Sequence, residues 1–350
     1  MRTLLALLVA VLLVLLLAAV LPAPIDPVAW QPDPDPGLTG SYAPNDRLAA
    51  VERLLEGVGT GPEDVACGSD STYYTGFSDG RIVRFSASGD YDEIVNTGGR
   101  PLGMQLDAGG RLIVADSERG LLAVTEDGDV EVLTDSVNGE KIVFVDDLDI
   151  AEDGTIWFSD AASRHGYKHS MYNFFEGRPS GSLLSYHPDT GETRVHLTGL
   201  FFANGVALGP DDEYVLVNET HSGRITRLWL KGEKAGQSDL FKSQLPGTPD
   251  NLSFNGRDTF WVANPGLRAG VDAFADLPLV RKMISRLPYE TLESFNPRFS
   301  LVIALDLEGN VRETLQDPNG GFAWITSVNE CEGELLLGSL HETAVARVPY

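Results

Sequence analysis

Glu63, Asp146, Asn204 and Asp250 stand in four short segments that each lead into an apolar run: Pro62-Glu63-Asp64, Val145-Asp146-Asp147-Leu148, Ala203-Asn204-Gly205-Val206 and Pro249-Asp250-Asn251-Leu252. Three carboxylates and one amide offer oxygen ligands, with neither imidazole nor thiolate among them. A hard cation such as Ca²⁺, which takes about 6–8 oxygens in irregular geometry, suits that donor set, whereas Zn²⁺ calls for His or Cys. Any one of these residues alone would ordinarily be a turn residue or a strand cap. The recurrence of one arrangement four times points to a shared ion, provided the fold brings distant segments together.

The elements that must do so repeat along the chain. A turn with Gly or Asp, an apolar run rich in aromatic or β-branched residues, and a small or acidic residue recur at 71–76, 111–116, 155–160, 213–218, 258–264 and 334–339. Most copies are followed by two further alternating runs, such as 80–85 and 91–95. Four strands per unit at intervals of about 40 residues or more predict an all-β fold, a six-bladed β-propeller. The last unit holds three strands, and a run over 49–56 is predicted to complete it and close the ring. The innermost strand of each blade lines the central channel, and each of the four segments opens such a strand. Glu63, Asp146, Asn204 and Asp250, from units one, three, four and five, are therefore expected to meet on one axis.

The first 22 residues predict a transmembrane signal anchor, because 4–21 carries no polar side chain and approaches the roughly 20 residues that cross a bilayer as a helix. Arg2 favours a cytoplasmic start, which places the rest of this single-pass chain on the extracytoplasmic side; cleavage would make it secreted or periplasmic. Residues 23–45 are proline-rich and read as a stiff spacer, leaving 46–350 for the propeller. Two insertions interrupt the spacing, 163–182 and 265–299. The second has apolar residues at roughly helical spacing, and reads as a lid, a cap or a surface leaning on the bilayer. A formal net charge of −25 repels phosphate backbones and excludes nucleic acid as a partner. Cys67 and Cys331 occupy equivalent places in neighbouring units. That predicts a separation beyond the roughly 7 Å Cα limit for a disulfide, hence two buried thiols. His221 and His341 are isolated candidates for a proton donor, and His165 and His169 form no zinc site. The sequons at Asn218 and Asn251 are short enough to be chance matches.

Residues 201–210, 245–251, 99–103 and 330–339 together resemble the strictosidine synthase-like proteins, and the likeness runs from about residue 40 to the end. Paraoxonases, gluconolactonases and diisopropylfluorophosphatase are related six-bladed propellers with a catalytic Ca²⁺ in the channel. The resemblance implies that Glu63, Asp146, Asn204 and Asp250 are ligands of that ion, with Asn251 a fifth. It implies a second, structural Ca²⁺ at Asp64 and Asp147. Asp146 stands where the family usually has Asn, and Leu102 and Ser327 stand where paraoxonases carry their His and strictosidine synthase its Glu. A hydroxyl cannot replace a carboxylate in acid–base chemistry, so alkaloid synthesis is not expected. The resemblance implies a hydrolase of small-molecule esters or lactones (arylesterase or lactonase) with Asp250 as base or nucleophile. The alternative is a non-catalytic binding module that calcium only stiffens.

Overall fold

Each repeated run becomes the second strand of a four-stranded antiparallel sheet, and six such sheets form the ring. The computed structural model describes residues 21–350; the expected signal anchor lies outside the described residues except for Leu21 and Pro22. Among the described residues no helix is long and apolar enough to cross a membrane. The inner strands of blades one to six are Val65–Cys67, Pro101–Leu106, Val145–Ile150, Ala203–Leu208, Leu252–Phe254 and Ile325–Cys331. Second strands such as Leu112–Asp116, Ile156–Asp160 and Phe260–Asn264 are buried throughout, because neighbouring blades cover both of their faces. The N-terminal strand is Glu52–Leu54, shorter than the predicted run, and it pairs antiparallel with Val345–Pro349, closing the last blade.

The core sits between blades. Val65, Tyr73 and Val83 of blade one pack against Leu336 and Val345 of blade six, and Ala66 and Ile82 pack against Met104, Val114 and Leu122 of blade two. Further such layers join the remaining neighbours, so no blade presents an open apolar face to water.

Cys67 and Cys331 are bonded to each other, which corrects the expected pair of buried thiols. Their Cα atoms are 5.9 Å apart, and Cys67 is exposed. Inner strands converge towards the axis, so equivalent positions in adjacent blades approach far more closely there than at the rim. The bond ties the first blade to the last across 264 residues. Replacing both cysteines by serine is expected to cost about 3 kcal/mol, read as a lower urea midpoint in the variant and a matching fall in the parent under reductant.

Antiparallel order puts the start of each inner strand and the end of each second strand at the same end of the ring. Both insertions leave from second-strand ends, after Asp160 and Asn264, so they lie at the end that carries the four segments. The first folds into a short helix Ser170–Glu176, the second into helices Ala269–Asp272, Pro278–Ile284 and Tyr289–Glu293. Tyr289 joins them, its hydroxyl accepting the Met171 N–H at 3.1 Å. The proline-rich segment, expected as a stiff spacer, is docked along both insertions as a strap. The N–H groups of Asp26 and Val28 donate to Glu176, and that of Trp30 donates to the Ala275 carbonyl. Arg281, buried, donates to the Phe274 and Phe175 carbonyls at 2.9 and 2.8 Å and lies 4.4 Å from the Trp30 ring centre.

Candidate metal centre

β-Bulges aim the site residues. The ladders of the inner strands shift register between Val145 and Leu148, between Ala203 and Val206 and between Pro101 and Met104. A bulge frees consecutive residues from strict alternation and lets neighbours such as Asp146 and Asp147 serve different places. Asp250 and Asn251 precede their strand, but remain tied to the second strand through Ala263 at 2.9 and 3.2 Å.

Hydrogen bonds then link every blade to the next around the axis. Met104 N–H donates to Asp64 Oδ2, Ile150 N–H to Gln105 Oε1, and Val206 N–H to Asp147 Oδ2. Gly205 N–H donates to the Asp250 carbonyl, Asn251 N–H to the Thr326 carbonyl, and Thr326 Oγ1 to the Glu63 carbonyl. Asn218 and Thr220 also donate to the Asp250 and Pro249 carbonyls, so the first sequon is buried scaffolding for the site.

The four expected ligands are all buried, and carboxylate oxygens of Glu63, Asp146 and Asp250 lie within 4.8 Å of one another. At that distance and an effective dielectric of about 20, two full charges repel by about 3 kcal/mol. Burial, then the charges of Asp250 and Asp146, holds the Glu63 carboxyl well above the ordinary range; burial, then Asp250 and Asp147, does the same to Asp146. Burial pushes Asp250 up to about 8, opposed by hydrogen bonds from Asn204 and the Asn251 backbone. Glu63 Oε2 and Asn204 Oδ1 are buried without a hydrogen-bond partner. Orphaned acceptors beside mutually repelling carboxylates are the donor set that a hard divalent cation satisfies.

Asp64 and Asp147 do not join that trio. They lie on its inner side, lining a cavity of about 170 Å³ with Asn251, Ser327 and Asn329. Both Asp64 oxygens accept hydrogen bonds, from Met104 N–H and Asn329 Nδ2, and Asp147 accepts one from Val206. Burial raises both carboxyls. Asn251 is buried with both amide atoms unpartnered.

On the outer side, Leu102 joins Phe144, Ala161, Ala162 and Phe202 in an apolar wall, with Tyr167 and Phe174 packed against it. His221 is buried among Trp30, Phe174 and Phe201, and burial pushes its pKa down to about 3, so the imidazole is neutral with a free Nε2. His341 lies edge-on to Trp324, 5.1 Å between ring centres. Residue types alone did not reveal Arg100. It is buried, donates Nη1 to the Gly61 carbonyl at 2.9 Å, and keeps Nε and Nη2 unpartnered while its charge favours ionised Glu63 and Asp146. Its only sequence signal was its place beside Leu102.

Gly205 is the close-approach point between blades four and five. A Cβ there would sit 2.4 Å from Asp250 O and from Leu252 N, both backbone atoms. Gly205→Ala is therefore expected to push the Asp250 segment off the axis, loosening the carboxylate cluster and any cation affinity it confers, and to cost about 1–3 kcal/mol of stability. Calcium titration and denaturant unfolding of the variant check both.

Known proteins are similar to this chain in sequence and in fold. Residues 146–233 match the strictosidine synthase family, and residues 40–85 match the N-terminal region of strictosidine synthase-like proteins. Adipocyte plasma membrane-associated protein of Rattus norvegicus is 34% identical, over 94% of this chain and 93% of its own length. Among solved structures, a gluconolactonase from Xanthomonas campestris is similar in fold, with a TM-score of 0.62 at 19% identity over 94% of this chain and 99% of its own. The calcium-binding protein regucalcin from Agrobacterium tumefaciens is similar at a TM-score of 0.57 and 14% identity, over 85% of this chain and 92% of its own.

Proposed function

Because the chain belongs to the strictosidine synthase-like family, alongside the adipocyte plasma membrane-associated proteins, we propose that it is a membrane-anchored, Ca²⁺-dependent hydrolase of esters or lactones. One observation carries this reading: three buried carboxylates whose oxygens lie within 4.8 Å of one another, beside orphaned acceptors on Glu63 and Asn204. Glu63, Asp146, Asn204 and Asp250 would hold the ion, with Asn251 as an additional oxygen donor. A bound Ca²⁺ supplies Lewis-acid polarisation of a carbonyl.

The chain's own groups do the rest. As base, Asp250 would accept a proton from water as the water oxygen bonds to the carbonyl carbon, then return it to the departing alkoxide or aryloxide as the acyl C–O bond breaks; as nucleophile, it would displace that alkoxide or aryloxide to form an acyl-enzyme, which water then hydrolyses to the free acid and Asp250. Asn204 and the Asn251 backbone N–H hold that carboxylate in place. Arg100, buried beside the carboxylates, contributes a positive charge that favours ionised Glu63 and Asp146. Leu102, Phe144 and Phe202 wall the outer side with apolar surface, which keeps bulk water out and strengthens the electrostatic contacts within. Asp64 and Asp147 fasten blades to their neighbours and line the cavity where a second cation is proposed.

The disulfide suits an oxidising, extracytoplasmic compartment, and the relatives' names speak of plasma membrane association. The binding-module reading draws on Leu102 and Ser327, which bring no titratable group to positions where related enzymes have one. A panel of aryl esters and lactones, assayed in calcium and in chelator, separates the two. Turnover lost on chelation supports the hydrolase, whereas a calcium-dependent rise in melting temperature with no turnover across the panel supports the binding module.

A further inference from the structure

Large apolar side chains stand exposed together on the second insertion. Phe274, Leu277, Leu279, Leu287 and Phe295 are all exposed, Leu279 to 59% and Phe295 to 52%, although they lie within 22 residues of one another. Elsewhere in the propeller such residues stand singly on outer strands, as Tyr91, Val132 and Leu240 do. The helices beneath them are fixed: Arg281 clamps Pro278–Ile284 to the strap and the first insertion, and Leu292 is fully buried. A rigid platform with apolar side chains turned outward is a surface built to be covered.

The chain itself points to what covers it. Residues 4–21 are an unbroken apolar run, and its last residue, Leu21, is half exposed with its carbonyl accepting a hydrogen bond from Arg286 Nη2 at 2.8 Å. The apolar run therefore departs from the same insertion that carries the exposed leucines.

We infer that the 265–299 insertion is a lipid-docking surface, sinking Phe274, Leu277, Leu279, Leu287 and Phe295 into the bilayer interface. It rests on the membrane-anchor reading and deepens it. Because the insertion stands at the end of the ring that carries Glu63, Asp146, Asn204 and Asp250, docking sets that end of the channel against the membrane.

The test uses the full chain reconstituted into phosphatidylcholine–phosphatidylserine vesicles, with an environment-sensitive fluorophore on Leu279→Cys or, for comparison, on Leu240→Cys in the outer strand of blade four. An apolar face sunk about 5–10 Å into the interface predicts a blue-shifted Leu279→Cys probe that loses roughly half its emission to lipids spin-labelled high on the acyl chain. The Leu240→Cys probe stays unquenched. Vesicle flotation with an unquenched Leu279→Cys probe overturns docking and leaves the anchor standing; failure to float overturns both. A blue shift that grows with protein density and is insensitive to quencher overturns lipid docking in favour of a second copy of the chain.

Discussion

Asp250→Asn is expected to lower kcat/KM for aryl esters by about 10³-fold at saturating calcium, while leaving the protein in chelator at pH 8 at least as stable as the parent. The two readouts move apart because Asp250 does two things. In the proposed reaction it is the group that accepts the proton, and an amide cannot. In the cation-free protein it is one of three carboxylates within 4.8 Å, each pair repelling when ionised by about 3 kcal/mol at an effective dielectric of about 20. Asn keeps the shape and removes the repulsion. A merely structural role predicts the opposite pair of results, lower stability and little change in kcat at saturating calcium. Initial rates and thermal melts of the same preparations decide between them.

Calcium is expected to raise the melting temperature by about 8 °C at pH 8 and by almost nothing at pH 5. Glu63, Asp146 and Asp250 have folded-state carboxyls raised above their unfolded values, Asp250 to about 8. Between the unfolded value near 4 and the folded value, the native state thus binds more protons than the unfolded chain, and stability falls as pH rises through that window. In chelator the melting temperature should therefore decline from pH 5 to pH 8. A divalent ion takes the place of those protons, so its affinity grows over the same interval. At a free concentration about 1,000 times its dissociation constant it contributes about 4 kcal/mol, or about 2 °C per kcal/mol in a domain of this size. Calorimetric scans across pH, with and without calcium, check the widening gap; a gap constant with pH would break the link between the carboxylates and the ion.

The sequence discloses the ring and the carboxylates for a physical reason. Second strands are covered on both faces, so stretches such as 112–115 and 156–158 are apolar and recur visibly ahead of a small or acidic residue, and the short strand before blade one is needed to complete the last blade. Glu63, Asp146 and Asp250 were legible because acidic residues recur at the mouths of those units. What stayed hidden depends on distances that no repeat encodes. The Cys67–Cys331 bond follows from the convergence of inner strands at the axis, and the docking of the strap rests on backbone groups of residues 26–30 meeting Glu176 and Ala275. Arg100 carries no spacing signal, and Asn218, although it closes a repeated run, shows nothing in the sequence of its bond to the Asp250 carbonyl in the next blade. The resemblance implies a second cation at Asp64 and Asp147, and the fold adds a role that the sequence does not disclose: both accept hydrogen bonds from the next blade's backbone. Adjacent acids in a bulged strand face different surroundings, which residue type cannot express.

Calorimetric titration of calcium into the chelator-stripped full chain at pH 8, repeated with Glu63→Gln and Asp146→Asn, tests the shared ion most directly. The structure predicts one tight site that each substitution weakens by an order of magnitude or more, because each removes a charged oxygen from the same buried cluster. Parent protein that takes up no calcium, or a tight site indifferent to both substitutions, would contradict it.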